Sequence, residues 1–194
     1  MKKIIVLAAA SALAFPAFAQ TQTGVVNVQG TVGEKCIVTL AGTPTTGSFG
    51  GSVDLGQLDA TDGRLKESAV LSSMFSAVAG TQLTYRVVCT TPSTQVAVKT
   101  DSLANGSATP SAGYANTVNY TAVVSLAMVG GDEAVSNDSQ TAPGGTTQTF
   151  TKRLATGANN VTVGANTFRT PNNSDVLLAG TYNGKITITL TPAN

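Results

Sequence analysis

The sequence predicts an all-β protein, a sandwich or a barrel. Three observations carry this. The chain is rich in Thr, Val, Ala, Gly and Ser and has no Trp and no His; Thr and Val favour strands. Short apolar or alternating runs recur along it, each bounded by Gly, Pro, Asn or Asp turn signals. Long helical patterns are missing.

The first residues, MKKIIVLAAASALAFPAFAQ, have the layout of a secretory signal peptide. Lys2 and Lys3 form a basic start, Ile4 to Ala14 is a short apolar run, and Ala17-Phe18-Ala19 fits the small-x-small cleavage rule. Residues 1–19 are therefore expected to be removed, leaving a chain that starts at Gln20 and has no later segment apolar enough to span a membrane. Loss of the two lysines makes a formal net charge of +1 slightly negative. The remaining charges are sparse and mixed, with no basic stripe for nucleic acid or anionic lipid.

Strands are expected at about 25–32, 35–40, 53–58, 69–78, 82–90, 94–100, 118–129, 147–154, 160–168 and 184–191. In the first, Gly24, Val26, Val28, Gly30 and Val32 share one face, and Val25, Asn27, Gln29 and Thr31 the other. Residues 69–78 are ambiguous, because Val70, Met74 and Val78 also fit one or two helical turns. LTYRVVC puts Leu83, Tyr85, Val87 and Cys89 on one face. YTAVVSLAMV reads as a central strand buried on both sides. In the last strand Tyr182, Gly184, Ile186, Ile188 and Leu190 alternate with Lys185, Thr187, Thr189 and Thr191, the pattern of a strand with one wet face. Turns are expected at Gly47 to Gly51, Asp62-Gly63, Asn105-Gly106, Gly130 to Asp132, Pro143 to Gly145 and Asn172-Asn173. Residues 101–117 read as a surface loop.

Cys36 and Cys89 are the only cysteines. In an exported chain they permit a single disulfide. It would close a loop of about fifty residues and stabilise the fold by up to about 4 kcal/mol. A redox or nucleophilic thiol is disfavoured, since there is no C-x-x-C and no His.

Chemistry-bearing motifs are few. The common general base is missing with His, and no G-x-S-x-G, P-loop or dinucleotide fingerprint occurs. Asp54, Asp59, Asp62 and Glu67 lie close in sequence but lack calcium-loop spacing. The Asn-x-Ser/Thr triplets at Asn119, Asn137 and Asn160 are expected by chance in this composition. The expectation is a non-enzymatic protein with no cofactor and no metal.

Four stretches in order, VVNVQGTVGEKCIV, VDLGQL, AGTQLTYRVVCTTPSTQVAVKT and AGTYNGKITITL, resemble the subunits of chaperone–usher pili. The likeness is to the archaic, spore-coat-protein-U-like branch. It implies an immunoglobulin-like antiparallel β-sandwich over residues 33–194, incomplete and completed by a donated strand. It also implies passage through the periplasm to the cell surface, with a periplasmic chaperone, an outer-membrane usher and neighbouring subunits as partners, in support of adhesion or biofilm formation. Residues 20–32 are then the candidate donor, with Gly24, Val26, Val28, Gly30 and Val32 as its inward face; the same residues fit a first strand of their own domain. Tyr182, Ile186, Ile188 and Leu190 are the candidate groove edge. The alternative is a self-contained secreted or periplasmic sandwich that binds a ligand or coats a surface without polymerising.

Overall fold

β4 organises the molecule. In the computed structural model, which describes residues 27–40, 43–45, 49–157 and 159–193, this strand runs from Ser93 to Ala104. The other elements are β1 (Cys36–Leu40), β2 (Thr43–Thr45), α1 (Ser68–Gln82), β3 (Thr84–Cys89), β5 (Tyr114–Ala115), β6 (Thr117–Leu126), β7 (Glu133–Asp138), β8 (Thr146–Phe150), β9 (Val161–Arg169), β10 (Val176–Leu177) and β11 (Asn183–Ala193). One edge of β4 carries β11 along its whole length. Its other edge carries β8 against 94–98 and then β6 against Leu103 and Ala104. That change of partner is a corner. On one side of it lies β8–β4–β11, and on the other β7–β6–β9–β3–β1–β2. The two layers face each other as a nearly closed, barrel-like sandwich, so the all-β reading holds. The sandwich forms one compact unit, Val32–Asn194.

The core lies between the layers. Val87, Val96, Val98, Val118, Val124, Leu126, Val135 and Val161 are all fully buried. They are β-branched or Leu, the side chains that pack well on a pleated face. Cys36 and Cys89 are bonded and stand directly opposite each other in the β1–β3 ladder. No helix among the described residues is long and apolar enough to cross a membrane. The predicted signal peptide, 1–19, lies outside the described residues.

Several expectations need correction. Residues 69–78 belong to a helix of 15 residues. Leu71, Phe75 and Ala79 recur every four residues and are buried against β9 and β3, while only Val70, Val78 and Thr81 of the helix are β-branched. Residues 53–58 form no strand. Asp54 Oδ1 accepts the Gly56 amide at 2.8 Å and Gly56 has φ +60°, so an Asx turn bends the chain where the ladder would need it straight. Residues 27–32 form no strand either, and Val28 and Val32 are exposed; alternation specifies which face a strand would bury but supplies no partner for its backbone.

β6 is central but wet on one face. Tyr120, Ala122, Val124 and Leu126 are buried, whereas Thr121 and Val123 are half-buried and Ser125 is exposed; only the inner face meets the opposing layer. The loop expected at 101–117 shrinks, because β11 pairs with β4 as far as Ala104, across an irregularity between Lys185 and Asn183. β7 escaped the sequence reading, since EAVSND has one large apolar residue. Its place is set by the ladder to β6 and by burial of Val135 and Asn137.

Candidate functional site

Among the described residues β11 is an edge strand: it pairs with β4 alone, so its other edge carries a row of backbone groups with no ladder partner among them. Ile186, Ile188 and Leu190 sit opposite Thr100, Val98 and Val96 and pack against the core. Lys185, Thr187, Thr189 and Thr191 are exposed on the other face. The predicted alternation is thus the observed one.

A groove of about 400 Å³ opens beside this edge. Leu83 and Tyr85 at the start of β3, Tyr120, Val163, Phe168 and Phe75 of α1 form its floor. One wall is β11 and the residue before it, from Tyr182 to Ile188. The other is the extended segment Phe49–Leu55. Phe49 lies against Tyr85 with ring centroids 4.6 Å apart, and Tyr120 stacks on Phe168 at 5.4 Å. Among the described residues Lys185 is the one charged side chain on the walls or floor. A concave surface with an aromatic and aliphatic floor and partly polar walls, beside a strand edge unpaired among the described residues, is suited to an extended segment with alternate apolar side chains.

The tyrosines supply fixed polar points. The Tyr182 hydroxyl reaches the carbonyls of Leu178 at 2.9 Å and Ala115 at 3.0 Å, which anchors the entry to β11. Burial raises the phenol pKa of Tyr85 and Tyr182. It raises that of Tyr120 too, with the Asp101 charge adding to the effect. All three stay protonated donors near neutral pH.

Of the predicted groove edge, Tyr182, Ile186 and Ile188 line the groove, and Leu190 is half-buried further along the same face. Of the predicted donor residues, Gly24 and Val26 lie outside the described residues. Val28 is 89% exposed, Val32 is 80% exposed, and Gly30 has no neighbouring atom within 4 Å of a built Cβ. The floor was not legible in the sequence. Phe49, Phe75 and Phe168 come from a turn-rich segment, a helix and a strand, and only the layering brings them together.

No family model, curated protein or solved structure matches this chain. The site is therefore read from its own geometry. The carboxylates noted in the sequence act locally: Asp54 and Asp62 accept backbone amides two residues on. The three Asn-x-Ser/Thr asparagines are buried. Asn160 alone accepts from the Val87 amide at 2.8 Å and donates to the Val87 and Ala155 carbonyls at 2.7 Å each.

Proposed function

We propose that this chain is an exported structural subunit of a surface fimbria or pilus, assembled when a neighbouring subunit donates a strand to the groove beside β11. One observation carries the reading: β11 has a single ladder partner among the described residues, and it walls a groove floored by aromatic and aliphatic side chains. Main-chain bonds to that edge supply affinity, and alternate side chains filling the groove supply register. The resemblance of the four sequence stretches to chaperone–usher subunits supports the same reading. So does the Cys36–Cys89 bridge, which suits an oxidising compartment.

The donor is the stretch Thr21–Val32, which carries apolar or small residues on one face. Donation from one copy to the next is head-to-tail, so it propagates a filament. A periplasmic chaperone occupies the edge before assembly, and an outer-membrane usher is where the exchange takes place. The role needs no catalytic group and no cofactor.

The test is a blot of surface-sheared material, left unheated or boiled in detergent. A ladder at multiples of one subunit that collapses on boiling is the expected result. A single monomer band in both lanes, from folded protein, overturns the proposal in favour of a self-contained sandwich.

A further inference from the structure

We infer that Phe49, with Gly50 and Gly51, is a displaceable plug: a piece of the subunit's own chain that holds the groove while it is empty and leaves when a strand docks. The inference rests on the strand-docking reading above and concerns how that site is kept closed. Phe49 lines the groove and lies on Tyr85, with centroids 4.6 Å apart and planes tilted by 42°. Yet among the described residues no backbone–backbone hydrogen bond involves residues 49–55, and the first fixed point after Phe49 is the Asp54–Gly56 turn. Every other piece of the groove rim belongs to, or directly abuts, a hydrogen-bonded helix or strand.

Gly51 shows how the segment is seated. A Cβ there would stand 2.6 Å from Leu83 Cδ2 and 3.4 Å from the Gln82 carbonyl. The chain therefore passes close over the junction of α1 and β3, where an added methyl would have to push the Leu83 side chain aside. Gly50 is exposed with open space around it, so the chain is free to pivot there. A segment held by apolar contact alone opens more readily than one held by a ladder. An incoming apolar side chain can replace the Phe49 ring on Tyr85. The docked backbone additionally pairs the free edge of β11, so the exchange runs toward docking.

The test uses the full chain as a purified monomer and a fluorescent peptide of residues 21–32, with association followed by polarisation. Phe49→Ala empties the seat, and Gly51→Ala keeps the ring but crowds the segment against Leu83. Both are expected to speed association by about tenfold, the factor that corresponds to loss of roughly half the burial of a Phe ring. Equal or slower association in both variants, with the peptide still binding, overturns the plug and leaves the docking site standing. No binding to the natural chain or to either variant removes the docking reading itself, and the plug with it.

A second measurement does not depend on how the alanine variants fold. The chain has no Trp, so Phe49→Trp is a single reporter. Its emission is expected to shift to the red on peptide binding as the ring leaves the groove. An unchanged or blue-shifted emission on binding overturns the plug.

Discussion

Cys36 of β1 and Cys89 of β3 are direct partners in an antiparallel ladder, with Cα atoms 4.1 Å apart and a sequence separation of 53. The bridge thus staples two strands that already pair, at the rim where β1 joins the sheet. Its contribution is mainly a constraint on the unfolded chain. Cys36→Ser is expected to lower unfolding free energy by about 2–4 kcal/mol. Urea denaturation of purified natural and variant protein checks this. Equal midpoints would mean that ladder pairing alone holds β1.

Val28→Asp separates assembly from folding. Val28 is 89% exposed, so the change is expected to leave monomer stability within about 0.5 kcal/mol of the natural chain. If Thr21–Val32 is the donated strand, the charge is set against the aromatic and aliphatic floor of the groove, and the unheated ladder on a gel disappears. A ladder of normal length from Val28→Asp protein would reassign the donor.

Asp138 accepts from the Arg169 guanidinium at 2.8 Å, and from Thr121 and the amides of Gln140 and Thr141. The Arg169 contact first, and the turn amides with it, hold its carboxyl well below the usual carboxylate range. A folded-state pKa below the unfolded one means stability that is complete above the unfolded value, near about 4, and is lost as pH falls below it. Asp138→Asn keeps an acceptor for the turn and removes the charge. Urea midpoints at neutral pH and at about pH 3 should differ less in the variant than in the natural chain. An unchanged difference would place the acid sensitivity elsewhere.

Thr167 has φ +53°, a left-handed conformation that strains a β-branched residue. It is exposed in β9, next to Phe168, whose amide donates to the Ser68 hydroxyl of α1 at 2.8 Å. The strained residue therefore sits where the strand is tied to the helix. Thr167→Gly should relieve the strain and stabilise the protein by about 1 kcal/mol. Thermal unfolding reads this directly; a lower midpoint would show that the Thr167 side chain contributes more than its backbone costs.

Asn160 holds β3 and the approach to β9 together through three side-chain bonds, the two to Val87 buried and the one to Ala155 part-buried. Asn160→Ala leaves the Val87 amide without its acceptor. The expected loss is about 2–4 kcal/mol, since unsatisfied buried groups keep their full desolvation penalty. Denaturant unfolding measures it, and a loss below about 0.5 kcal/mol would mean water takes over the role.

Local pattern alone determined much of this protein. Alternation from Tyr182 to Leu190 names the buried and wet faces of β11, because side chains on a strand have period two whatever lies beside it. Two cysteines allow one bridge. Turn residues at Asp62-Gly63, Asn105-Gly106 and Pro143-Gly144 mark bends by their own backbone preferences. The rest was decided by partners. Residues 68–82 are a helix because β9 and β3 offer a surface for Leu71, Phe75 and Ala79, and in isolation the same spacing was ambiguous. Residues 53–58 look like a strand, but a turn at Asp54–Gly56 takes their backbone away from any ladder. EAVSND is a strand only because β6 pairs with it. Whether an edge is free depends on which strand lies next to it, and this is set between elements distant in sequence. The open side of β11, and the aromatic floor beside it, could therefore come only from the folded arrangement.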